Sequence, residues 1–188
     1  MGALTLREAR TSDVAVIRRL MDTYAADRIL LSKATVTLFE DIQEFYVAEL
    51  DGAVVGCGAL HVLWEDLAEV RTLAVAPDAR GQGVGHALLD RLLEQARHVG
   101  VSRVFTLTFE VAFFSAHGFE EIAGTPVGHD VYEQLLQSYD EGVAEFLDLE
   151  RVKPNTLGNA RMLLLLEPRL PRQRVDPGSG EGATLVEP

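Results

Sequence analysis

Between Arg80 and His86 the chain reads Arg-Gly-Gln-Gly-Val-Gly-His, with glycines at 81, 83 and 85. Glycine lets a backbone turn tightly and come close to a ligand with no Cβ in the way. The run HALLDRLLEQARHVG that follows has helical spacing, so the amides of this loop stand where a helix begins. Helix starts attract anions through free N–H groups and the helix dipole. The residues therefore fit a loop that holds a phosphate-bearing cofactor, or else an ordinary glycine-rich turn. A dinucleotide fingerprint is excluded, because His86 stands where G-x-G-x-x-G needs its third glycine. An ATP-type P-loop is excluded because no Gly-Lys-Ser/Thr follows.

A strand must precede that loop and a helix must follow it. Glu69 to Val75, EVRTLAV, is apolar and β-branched, and a Pro-Asp turn comes next. We expect a strand over 67–76 and a helix over about 83–98. Strand alternation would put Glu69, Arg71, Leu73 and Val75 on one face. Upstream, Leu4–Arg7 reads as a strand. Thr11, Ser12 and Asp13 are capping residues, and the helix after them has the apolar face Val14, Ile17, Leu20, Met21 and Tyr24. A weaker helix is expected over 35–43. Strands Phe45–Leu50 and Ala53–Trp64 flank an Asp51-Gly52 hairpin turn. Downstream we expect a strand over 102–109, a short helix over 110–117, a strand from Phe119, partial helix within 130–149 and a last strand Met162–Leu166. The segment after Pro168 has little to bury and reads as a disordered tail. The organisation is then one domain over 1–168 and a tail over 169–188.

Arg80, Gly83 and Gly85 after a strand fit [Q/R]-x-x-G-x-[G/A], which resembles the pyrophosphate loop of the GCN5-related N-acetyltransferase (GNAT) family. A second stretch, AFFSAHGF at 112–119, resembles that family's aromatic pair followed by Gly-Phe, here Phe113-Phe114 and Gly118-Phe119. The resemblance implies an α/β (α+β) fold with a mixed, mostly antiparallel sheet flanked by helices. It implies acetyl-CoA as cosubstrate and no metal. Cofactor contacts would come from the backbone of Leu73, Ala74 and Val75, from Arg80, Gly81, Gln82, Gly83, Val84, Gly85 and His86, and from Phe113 and Phe114. Direct transfer to an amine needs a general base, and Glu69 matches the early strand position where many members carry one. Its plain alternative is a pairing with Arg71 or solvent. Many members carry Tyr where this chain has Phe114, which has no proton to give. A thiol with a pKa near ~8.5 is a tolerable leaving group without an acid; Ser115 or Tyr139 could otherwise serve.

DRILLSKATVTL, GCGALHVL and LTFEVAFFSAHGFEEI narrow the resemblance to the acetyltransferase domain of N-acetylglutamate synthases, chiefly their short bacterial forms, over most of residues 4–167. That implies transfer to the α-amine of L-glutamate or L-glutamine, the first step of arginine biosynthesis. An amino-acid acceptor needs its carboxylate held by a cation. By position these are Lys33, Arg71 and Arg161, each of which could instead be a solvated surface cation. His61 falls where some relatives have Lys. Rival readings are an acetyltransferase for polyamines, peptides or proteins, and a non-catalytic acyl-CoA-binding sensor.

Composition sets the outer bounds. The 188 residues are 47% apolar and 24% charged, with net charge −12, which argues against a nucleic-acid partner. No apolar run approaches ~18 residues, so no membrane partner is expected. The single cysteine, Cys57, forbids an internal disulfide and, with no signal-like N-terminus, suggests a cytoplasmic location. Apolar strands near the C-terminus make a homodimer a reasonable expectation.

Overall fold

A computed structural model of the protein describes residues 2–25, 34–147 and 158–167. Lys33 and the expected tail lie outside the described residues. The elements are β1 (Leu4–Glu8), α1 (Val14–Ala25), α2 (Thr35–Glu40), β2 (Phe45–Leu50), β3 (Ala53–Trp64), β4 (Leu67–Val75), α3 (Val84–Val99), β5 (Arg103–Thr108), α4 (Val111–Ser115), β6 (Glu120–Glu121), α5 (His129–Leu135), α6 (Glu141–Phe146) and β7 (Ala160–Leu165). Most bounds fall within two residues of the expected ones. The strand expected from Phe119 is only the two residues Glu120–Glu121, and Phe119 ahead of it is buried in the core.

The strands form one mixed sheet in the order β1-β2-β3-β4-β5-β7-β6. Every neighbouring pair is antiparallel except β4 and β5. A parallel pair needs a crossover, and α3 supplies it.

Two faces of the sheet are covered differently. On one, α3 buries Leu88, Leu89, Leu92, Leu93 and Ala96 against Tyr46, Leu60, Ala68 and Val70, with Phe114 and Phe119 completing the cluster. Gly56 and Gly58 of β3 admit this helix closely: a Cβ there would meet leucine side chains at 3.0 Å. On the other face there are two separate clusters. One holds α1, through Val14, Ile17, Leu20, Met21 and Tyr24, against Phe45, Val47, Cys57 and Ala59. The other holds α5 and α6, through Leu135, Val143 and Phe146, against Leu63, Leu67 and Phe105. Polar side chains of β3 and β4 occupy the face between them.

The expected alternation along β4 does not hold. Cys57 pairs with Ala74 and Ala59 pairs with Arg71, so β4 spends one residue more than β3 over this stretch. The extra residue is a bulge at Thr72, whose φ is +58°. Glu69 and Arg71 therefore share a face with Ala74, whereas Leu73 and Val75 turn to the α3 side. A bulge of this kind reverses the facing of every later residue.

Candidate active site

The bulge coincides with a parting of the sheet. β4 and β5 pair only from Leu67↔Arg103 to Glu69↔Phe105. One step further on, the Thr106 hydroxyl donates to the Val70 carbonyl at 3.0 Å. Beyond it the ladder stops, which leaves the backbone of Leu73, Ala74 and Val75 facing a cleft on the β5 side. The hydroxyl of Tyr24 donates to the Val75 carbonyl at the cleft's end.

The glycine loop closes that end. Pro77–Ala79 form a 3-10 turn, Gly81 and Gly83 take φ of +75° and +81°, and α3 begins at Val84. Gly83 is the residue before the helix and supplies no side-chain cap. The first helical bond runs from the Ala87 amide to the Gly83 carbonyl at 3.0 Å. The amides of Val84, Gly85 and His86 thus precede the hydrogen-bonded ladder, at the positive end of a 16-residue helix. Arg80 donates from Nε to the Tyr24 hydroxyl at 3.0 Å and lies 4.9 Å from that ring's centre. The same tyrosine thus ties α1 to both the loop and the end of β4, a contact that no local motif announced.

The aromatic pair divides its labour. Phe114 is 4% exposed and belongs to the core. Phe113 faces the loop: a Cβ on Gly85 would stand 3.5 Å from its ring, and His86 and His117 pack on it with centroids 5.0 Å away. Of the candidate acids, Ser115 and Tyr139 are both exposed.

The other side of the cleft carries the charges. Glu69 and Arg71 are almost wholly buried, and Arg71 Nε donates to Glu69 Oε2 at 3.0 Å. The other two nitrogens of Arg71 grip Asp140 at 3.1 and 3.2 Å. Asp140 also accepts the Val143 amide at 2.8 Å, capping α6. Arg71 is therefore saturated by two carboxylates, and a substrate carboxylate could reach it only by displacing Asp140. Asp140, 69 residues away in the chain, was invisible to motif reading. Arg161 lies on β7, donates to the Phe146 carbonyl at 2.8 Å and stands over the Phe105 ring at 6.0 Å. His61 lies opposite Glu69 in the register, with Nδ1 2.6 Å from Glu44 Oε1.

These surroundings set the protonation chemistry. Burial pushes the Glu69 carboxyl above the ordinary carboxylate range, and the Arg71 charge beside it only partly offsets this. Burial also pushes Asp140 upward, but there the Arg71 guanidinium prevails and holds it below the usual range. A buried carboxyl with a raised pKa beside a cleft is suited to taking a proton from an amine. Cys57 is buried and its thiol is pushed up to about 12, so it is inert at neutral pH. Among the described residues, no group of three or more His, Cys, Asp or Glu could hold a metal ion. No helix among them is long and apolar enough to cross a membrane.

Residues 15–124 match the acetyltransferase (GNAT) family. The chain belongs to that family. It is 62% identical over 164 residues to an amino-acid acetyltransferase of Mycobacterium tuberculosis, covering 86% of this chain and 94% of that one. The crystal structure of Rv2747 from Mycobacterium tuberculosis, in complex with CoA and NLQ, superposes with a TM-score of 0.83 at 61% identity, covering 87% of this chain and 99% of that one. The N-acetylglutamate synthase of Neisseria gonorrhoeae, complexed with coenzyme A and N-acetyl-glutamate, gives a TM-score of 0.70 at 25% identity, over 89% of this chain but 36% of that longer one.

Proposed function

We propose that this acetyltransferase moves acetyl from acetyl-CoA to the α-amine of L-glutamate or L-glutamine, as the first step of arginine biosynthesis. The observation that carries the reading is the buried Glu69–Arg71 pair beside the β4–β5 cleft, in a chain so similar along its length to an amino-acid acetyltransferase. The free amides of Val84–His86 fit the pyrophosphate of CoA, and the open backbone edge of Leu73–Val75 fits its amide-bearing arm. Glu69 takes a proton from the acceptor ammonium, directly or through water. The C–N bond then forms as the C–S bond breaks. Phe114 gives no proton, so the departing thiolate takes one from another source. Arg161, together with Lys33, is the cation proposed to hold the acceptor. Arg71 serves first to orient Glu69, and meets an acceptor carboxylate only if Asp140 gives way.

A second reading has support in the charges. Glu44, Glu69 and Asp140 surround the site, and the chain carries −12 overall, which suits a polyamine or a cationic peptide. Thiol release measured with glutamate, glutamine, glutamate α-amide, 4-aminobutyrate, spermidine and peptides separates the two. We expect turnover with the first two and almost none with the analogues that lack the α-carboxylate. Equal activity on glutamate and 4-aminobutyrate would exclude a carboxylate clamp and put the cationic acceptor first.

A further inference from the structure

Each transfer from acetyl-CoA to an ammonium gives an amide and a thiol, and releases one proton. The acceptor nitrogen loses two protons in all, of which the sulfur keeps one. A base that is 5% exposed must therefore be emptied once per cycle, and its guanidinium neighbour Arg71 cannot accept a proton. Directly across the ladder from Glu69 stands His61. Cβ atoms of such facing pairs lie about 4.5–5.5 Å apart on one side of the sheet. The His61 charge is among those that act on Glu69. On its far side His61 Nδ1 meets Glu44 Oε1 at 2.6 Å, and both side chains are partly exposed, at 20% and 24%. The second oxygen of Glu44 is itself buried and has no hydrogen-bond partner among the described residues, so an exit to solvent runs from the partly exposed remainder of the carboxylate. Glu44 also lines an open groove of about 220 Å³, beside Gln43, Tyr46, Leu60, Val62 and Gln95.

We propose that His61 and Glu44 carry the proton from Glu69 to solvent, a role that rests on Glu69 being the base. The acceptor N–H proton passes to a Glu69 oxygen. Glu69, which is paired with Arg71 and not directly with His61, passes it through an intervening water to the free ring nitrogen of His61. His61 releases the proton on Nδ1 to Glu44 Oε1, and Glu44 gives it to water in the groove. An imidazole suits this because it can bind a proton at one nitrogen while releasing one from the other. The charged groups around His61 are Glu44 from the turn ahead of β2, Glu69 and Arg71 from β4, and Asp140 ahead of α6. His61 is thus a relay, without contact to the acetyl group.

The test is steady-state kinetics of the full chain in weak buffer. His61→Ala should lower kcat by about 10²-fold and leave KM for acetyl-CoA and the acceptor nearly unchanged. Added imidazole should restore kcat in a saturable manner, and the solvent deuterium isotope effect on kcat should rise. Glu44→Gln, which keeps the side-chain shape, should also slow turnover and raise that isotope effect. An unchanged kcat and isotope effect in both variants would overturn the relay. So would a loss in folded His61→Ala that imidazole does not restore. Glu69→Gln separates the two levels of the argument. If it retains wild-type activity, the base assignment falls and takes the relay with it. If it is inactive while His61→Ala and Glu44→Gln are normal, only the relay falls.

Discussion

At Glu69, burial and ion pairing pull the carboxyl in opposite directions, and burial wins. As the proposed base, Glu69 would be active only when ionised, so kcat/KM should rise with pH through its raised pKa. Glu69→Gln should lower kcat by about 10²–10⁴-fold and abolish that acid limb, with acetyl-CoA affinity intact. Stability has the opposite sign to activity. The native state holds the Glu69 proton more tightly than the unfolded chain does. The Glu69 contribution thus falls as pH climbs from the unfolded value, ~4.3, to the raised native one. Asp140 runs the other way, stabilising above its unfolded pKa and losing that contribution as pH falls through its depressed native one. Arg71 joins both, and its removal leaves two carboxylates without their counter-ion. Arg71→Met should cost about 3–5 kcal/mol, measured as the shift in urea midpoint at pH 7. The two-residue spacing of Glu69 and Arg71 made their shared face legible in the sequence. Asp140 was not, because nothing local links it to them.

Among the elements, β4 shows where reading a sequence by period reaches its limit. EVRTLAV is β-branched enough to announce a strand, and the strand is there. A bulge has no compositional mark when its odd residue is Thr, and Thr72 sits at positive φ, unusual for a β-branched side chain. The alternation therefore predicted the right pair at 69 and 71 and the wrong face at 73 and 75. Thr72→Asn should be tolerated or mildly stabilising by thermal melt, since Asn visits that region more readily. The glycine loop was more legible, because positive φ at 81 and 83 leaves its trace in residue type. Gly83→Asp tests the loop in two separable ways. A side chain there meets no atom within 4 Å, and Asp is a good cap, so the apo protein should lose no more than about 1–2 kcal/mol of backbone strain. Its negative charge would face the pyrophosphate, and acetyl-CoA affinity by calorimetry should drop at least about tenfold.

For the whole molecule, apolar spacing and glycine position marked the individual strands and helices, and the mixed sheet that joins them came only as what the family resemblance implied. Contacts between distant segments were hidden: Tyr24 with Arg80, Arg71 with Asp140, Arg161 with the Phe146 carbonyl. The sheet consists of two halves joined by a short parallel ladder. A ligand that inserts between them should act as a missing strand. Hydrogen exchange at Leu73–Val75 should slow on adding CoA, while amides within β5 from Arg103 to Phe105 change little. The melting temperature should rise with CoA concentration, by a stabilisation of about 2.7 kcal/mol at a hundredfold excess over Kd. A raised melting temperature with unchanged exchange at Leu73–Val75 would place the cofactor elsewhere.

The extra residue at Thr72 also gives the chain two separately adjustable ends of one strand. In the function proposed above, side chains before it would face the amine to be modified; after it, the edge offered to the donor would be backbone, which is the same whatever side chains are attached. On that reading, substitutions on the acceptor side, at Arg161 for example, would alter which amine is accepted without rewriting the hold on the acyl donor. A lineage built on this strand can change its acceptor while keeping its donor, and a designer who leaves residues 72–86 untouched can do the same.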